Sequence, residues 1–230
     1  MPPAVRTMLA INVAVFLAWL ASGSNPALRR FMVLNFLVSP EHILHGRIWT
    51  LLTSVFSHLE LWHLVFNMVV LVSFGQVLEW LLGTRRFVLF YLAAGVFASI
   101  SHCLTSALIL HDPRIMALGA SGALSAVLMV FALRFPREKI LIFGIVPIPA
   151  MVGALAFVGL DLWGLTAQAH GGGLPIGHGA HLGGALFGLL AWLVWIRHAG
   201  PPAPGAVHRP AAPPKQPVWH DRFPPPPFRR

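Results

Sequence analysis

Long apolar runs separated by short polar ones dominate the chain. Six of them, at 8–21, 61–82, 87–110, 117–135, 140–162 and 179–196, lie near the ~20 residues a helix needs to cross a bilayer. The pattern predicts an all-α, polytopic membrane protein with six transmembrane helices. The first run is the shortest and has Arg6 ahead of it and "LASG" behind, the outline of a signal peptide. No A-x-A site follows, so it is read as a retained helix. The first loop, 22–60, is long, and its stretch "PALRRFMVLNFLVSP" can lie along the membrane interface. The loop before the sixth run, "TAQAHGGGLPIGHG", is rich in Gly and His and reads as a mobile segment suited to gating. From residue 199 the chain is Pro-rich, with "PPAP" and "FPPPPF", and is expected to be disordered or polyproline II. The division is therefore a membrane domain over 1–198 and a tail over 199–230.

Composition agrees. The 230 residues are 57% hydrophobic and 10% charged, with mean hydropathy +0.74, where soluble domains carry about 25% charged residues. The net charge of +9 raises nucleic acid as a partner, but the basic residues stand between apolar runs and in the tail. They form no Lys/Arg stripe with interleaved aromatics, so no nucleic-acid partner is expected. Counted by side, 12 Lys/Arg fall with the two termini and 4 with the opposite loops, which predicts both termini in the cytoplasm. The single cysteine, Cys103, excludes an internal disulfide and a Cys-based metal cluster.

Polar groups inside apolar spans are costly and tend to mark function. In "FSHLELWHLVFNMVV", His63 and Asn67 are four apart and share a helix face, with His58 five before His63. Ser121 in "MALGASGALS" and His181 in "GHGAHLGGALFG" each stand near the start of a run. Runs two, four and six all traverse from outside to inside, so His63, Ser121 and His181 should share one depth below the outer surface. Gly177, His181, Gly184 and Gly188 fall on one helix face, a small-residue stripe that lets backbones approach closely. A serine becomes a nucleophile when a neutral histidine removes its proton, and acyl transfer also needs oxyanion donors. His63, Asn67 and the Ser121 backbone N–H are the candidates. No third carboxylate is evident: Asp161, near the outer end of the fifth run, is read as a capping or surface residue. His102 is read as an interfacial or packing residue, His170, His198, His208 and His220 as incidental, and Ser125 as the plain packing serine. Taken singly, Ser121 is a packing serine and His63 or His181 a core residue or a metal or haem ligand; their convergence favours chemistry.

The blocks "FSHLELWHLVFNM", "GASG" and "GAHLGGALFG", in that order, resemble the rhomboid family of intramembrane serine proteases. "FGQVLEWLLGTRRF", with Gly75, Glu79, Gly83 and Arg86, also looks like that family's second-helix ending, and the resemblance covers about 46–197. It implies a six-helix core with a Ser–His dyad, Ser121 as nucleophile and His181 as general base. His63, Asn67 and the Ser121 N–H would form the oxyanion hole, with no cofactor and no metal. It implies transmembrane protein substrates in a lipid bilayer, cut near the outer surface under a mobile fifth loop. The expected location is multi-pass in a bacterial inner membrane. One departure is visible: "GRIWTLLT" has Thr50 where the family's first loop usually carries Arg after Trp, which bears on the loop rather than on the dyad. Two rivals are a non-catalytic rhomboid-like binder or quality-control factor for transmembrane helices, and a His-ligated metal or haem protein. The last needs histidines facing one another, whereas His63 is expected to pair with Asn67.

Overall fold

The computed structural model describes residues 1–142 and 145–198. The expected tail over 199–230 lies outside the described residues. Helix α1 (Pro3–Ala21) begins with proline at its first position, where the missing N–H is not needed. The N–H groups of Ala4 and Val5 each donate to a different carboxylate oxygen of Glu79, both at 2.9 Å. Thr84 Oγ donates to the same carboxylate at 2.8 Å. Glu79 is buried, and its negative charge at a helix N-terminus locks the first span against the end of the second.

The second span runs as α5 (Leu61–Val70), a π-helical turn (Leu71–Gly75) and α6 (Gln76–Leu82). Gly83 closes it with φ +78°, a left-handed conformation that glycine adopts without strain. The chain reverses there directly into α7 (Thr84–Leu108). Helix α8 (Ser121–Arg134) has 14 residues, so it is ~21 Å long against a hydrocarbon thickness of ~30 Å. It survives because it is enclosed: Ala123, Ala126 and Val127 are fully buried. Of the non-helical chain leading into it, residues 117–119 are half-buried and Ala120 is fully buried. Among the described residues five helices are long and apolar enough to span a membrane, and α8 is a sixth, shorter one. The all-α polytopic bundle is as expected.

The fifth apolar run departs from expectation. Instead of one helix over 140–162, it forms a hairpin of β1 (Lys139–Ile142) and β2 (Val146–Pro149), with Ile140 opposite Ile148, followed by α9 (Ala150–Ala169). Pro147 and Pro149 explain the change, because proline inside a helix removes a hydrogen bond and clashes with the preceding turn. The helix therefore starts ten residues later than the hydropathy suggested. The sixth span, α10 (His178–Val194), matches its run closely.

The first loop contains α2 (Pro26–Phe36), α3 (Pro40–Leu44) and α4 (Thr50–Thr53). In α2, Met32 is buried beside Trp19 and Leu37 while Phe31 stays exposed, consistent with a helix lying along an interface. Thr50 is buried and donates to the Arg47 carbonyl at 2.7 Å, and the Thr53 hydroxyl donates to the carbonyl of Asn35. The loop is thus ordered by local threonine bonds without the arginine expected there. It also braces the strand of chain entering α8. Val38 and Ala117 exchange two backbone hydrogen bonds of 3.0 and 2.8 Å, and Gly119 N–H donates to the Ser54 carbonyl at 2.9 Å. Of the segment 166–179 read as mobile, 166–169 end α9 and 178–179 begin α10; the remaining 170–177 are held at one end by Gln168, whose amide donates to the carbonyls of Leu174 and Ile176 at 2.6 and 2.9 Å.

Candidate active site

Ser121 is the first residue of α8. The leading N–H groups of a helix have no intrahelical acceptor and favour negative charge in front of them. Two residues earlier Gly119 has φ +113°, and a Cβ there would stand 2.8 Å from Nε2 of His63. Glycine is therefore required twice over, by the backbone conformation and by the imidazole lying against it.

Close approach of α8 and α10 follows from small residues. A Cβ on Gly184 would fall on the carbonyl oxygen of Gly122, and one on Gly188 would meet the Ala126 carbonyl at 2.6 Å. Gly179 and Gly183 face α7 instead, against Thr105 and Ser101. Of the expected stripe, His181, Gly184 and Gly188 lie on α10 and both glycines meet α8, while Gly177 precedes the helix and meets neither neighbour; Gly179 and Gly183 add a second face. Ser125 is buried in the α8–α10 contact, its hydroxyl bonded to the Ser121 carbonyl at 2.8 Å, as a packing serine should be.

That proximity sets Ser121 Oγ 2.8 Å from Nε2 of His181. Nδ1 of the same ring lies 3.0 Å from Oδ1 of Asp161. A carboxylate only accepts, so Nδ1 carries the proton and Nε2 presents its lone pair to the serine hydroxyl. Asp161 is 4% exposed and sits well inside α9. Its reading as a capping or surface residue is wrong: α9 starts at Ala150 and runs on to Ala169, past the end of the apolar run at 162, so Asp161 lies in the helix interior. One signal was available, a lone carboxylate in an apolar span. A second histidine, His178, also reaches Asp161 Oδ1, at 2.7 Å. Gly164 makes room for it, since a Cβ there would occupy the His178 ring.

His63 and Asn67 stand on α5, and the His63 ring lies against Gly119. His63 and Ser121 Oγ both lie within 4 Å of the point a Gly119 Cβ would occupy. Asn67 is buried, and its amide donates to the His63 carbonyl at 2.7 Å, which leaves its second N–H for another acceptor. The His63 ring pairs with His58, not with Asn67, edge to face at 4.8 Å between centroids. His58 is fully buried just before the second span, and burial, with the nearby His63, pushes its pKa down to about 3, so it is neutral. Its Nε2 faces the Ala120 N–H at 3.5 Å. His102 bonds the Ile115 carbonyl at 3.1 Å and so braces the approach to α8 from the other side.

Comparison with known proteins agrees with this architecture. The model of the Rhomboid domain matches residues 45–198. The chain belongs to the rhomboid family. This rhomboid is 36% identical over 195 residues to Rhomboid protein 1, mitochondrial, of Saccharomyces cerevisiae, covering 83% of the chain and 53% of that protein. It is 32% identical over 200 residues to RHOMBOID-like protein 12, mitochondrial, of Arabidopsis thaliana, covering 82% and 57%. It is 34% identical over 198 residues to the human Presenilin-associated rhomboid-like protein, mitochondrial, covering 84% and 48%. The rhomboid thus spans about half the length of the curated relatives it matches.

Proposed function

We propose that this rhomboid is a serine endopeptidase that cuts transmembrane segments of other membrane proteins. The observation that carries the proposal is the 2.8 Å contact between Ser121 Oγ and His181 Nε2, with the far ring nitrogen held by Asp161. His181 takes the hydroxyl proton as Ser121 attacks the scissile carbonyl. Asp161 fixes the ring in the required tautomer and stabilises the imidazolium that forms. The Ser121 N–H, with His63 and Asn67, donates to the oxyanion of the tetrahedral intermediate. The imidazolium then protonates the leaving amine, and a water activated by the same histidine releases the acyl group from Ser121. Apart from the substrate and the hydrolytic water, each step uses groups of the chain.

The substrate peptide must leave its own helix before it can be attacked, so segments rich in small, helix-weakening residues are the proposed targets. The charge asymmetry supports both termini on the more basic side. That side is the cytoplasm in a bacterial inner membrane, the location first expected, and the matrix in the mitochondrial membranes that the relatives' names indicate.

The test is cleavage of a transmembrane substrate by the purified protein beside Ser121→Ala and His181→Ala, with labelling of Ser121 by a fluorophosphonate probe. Both variants are expected to be inactive and Ser121→Ala to lose the label. Cleavage that survives Ser121→Ala overturns the mechanism. An unlabelled, inactive wild type points instead to a helix-binding factor.

A further inference from the structure

Two histidines converge on one carboxylate here, although the dyad needs only one of them. Nδ1 of His178 and Nδ1 of His181 approach the same oxygen, Asp161 Oδ1, at 2.7 and 3.0 Å. The other oxygen, Oδ2, is buried and has no hydrogen-bond partner among the described residues. A buried carboxylate oxygen left unpaired is costly, which marks it as an atom with unused binding capacity. The three donor atoms lie within 4.8 Å of one another. Ligands at ~2.0–2.2 Å from a tetrahedral ion stand roughly 3.3–3.6 Å apart, so small side-chain rotations suffice to surround one. Two imidazoles and a carboxylate form a donor set that suits zinc and its neighbours in the transition series and leaves one position open. His178 is the first residue of α10, directly after an exposed loop, which gives an ion from the aqueous side a short path.

We propose that Asp161, His178 and His181 form a binding site for a divalent transition-metal ion such as Zn²⁺, and that the bound ion switches the dyad off. Coordination uses the Nδ1 lone pair of His181. The neutral ring then carries its single proton on Nε2, so Nε2 donates to Ser121 Oγ and cannot accept its proton. The proton that leaves Nδ1 is balanced by the one taken up at Nε2, and both histidines stay neutral. The ion also occupies the carboxylate that orients the ring. The inhibition rests on the serine-protease reading above; the binding does not.

The test uses full-length protein prepared without a polyhistidine tag. Calorimetric titration with Zn²⁺ into Ser121→Ala, which retains all three ligands, is expected to show one site that disappears in Ser121→Ala/His178→Ala and in Ser121→Ala/Asp161→Asn. The double variants are checked for folding by thermal unfolding. Ser121→Ala/His178→Cys, which restores a ligand, is expected to recover binding, so that loss through misfolding is distinguished from loss of a donor. In the wild type, saturating Zn²⁺ is expected to slow substrate cleavage at least tenfold, with full recovery on chelation, and His178→Ala is expected to lose that sensitivity. Equal zinc stoichiometry with and without His178 means that only other histidines of the chain bind, and overturns the site. Binding at the site with undiminished cleavage overturns the switch. Zinc binding by a protein with no cleavage activity at all leaves the site standing and removes the protease reading instead.

Discussion

Gly184 of α10 lies against the backbone carbonyl of Gly122 in α8, with no space for a methyl group between them. This contact, next to Ser121 on one helix and about one turn from His181 on the other, sets the distance between the two helices. Gly184→Ala must push them apart, because the obstructing atom is backbone and cannot rotate away. Overpacking of this kind costs about 1–3 kcal/mol, and a displacement of ~1 Å between reacting groups costs about 100-fold in rate. The expected outcome is a folded protein with a modestly lower melting temperature and at least a 100-fold loss of cleavage. Near-normal activity would show that the helices are not spaced by this contact.

Asp161 orients His181 rather than touching the substrate. Asp161→Asn is expected to lower kcat by roughly 10²–10⁴ by favouring the wrong tautomer of the ring. KM should hold near its starting value, because no substrate contact is removed. Steady-state kinetics check this, and a change confined to KM or to thermal stability would assign Asp161 a structural role only.

Glu79 accepts two hydrogen bonds from the first turn of α1 and one from Thr84 inside the protein. Glu79→Ala strands all three donors, two of them at a helix N-terminus that also loses a favourable charge. A loss of about 2–5 kcal/mol is expected, seen as a lower melting temperature and faster proteolysis within α1. Glu79→Gln keeps the shape and one acceptor oxygen, and should fall between the wild type and Glu79→Ala.

His58 gives the fold a pH dependence with a definite sign. Its folded pKa of about 3 lies below the ~6.5 of an unfolded chain, because burial and His63 disfavour the charged ring. Between those values the unfolded chain binds the extra proton, so stability rises with pH across this window. The His58 contribution is fully present above ~6.5 and is lost as the pH falls toward ~3, by up to a few kcal/mol. Thermal unfolding between pH 7 and pH 4 should show the decline, and His58→Gln should flatten it. An unchanged slope in that variant would assign the acid sensitivity to other groups.

Much of this is legible along the chain. Hydropathy fixed six apolar segments and the all-α class, because a helix in lipid must satisfy its backbone internally and the run of apolar residues records its length. It singled out Ser121, His181, His63 and Asn67, because polar atoms are too costly in an apolar span to be placed there idly. Hydropathy alone did not separate an apolar helix from an apolar hairpin over 140–149; the signal that does, Pro147 and Pro149, stands in the sequence but is silent to an apolar count. That ambiguity hid Asp161, whose place in the helix depends on α9 running from Ala150 to Ala169. His178 stayed hidden for a related reason: three residues from His181, it acquires meaning only when α9 brings a carboxylate to both rings. These relationships are distances between side chains on different helices, set by which glycines face which neighbour, and no pattern along the chain carries them.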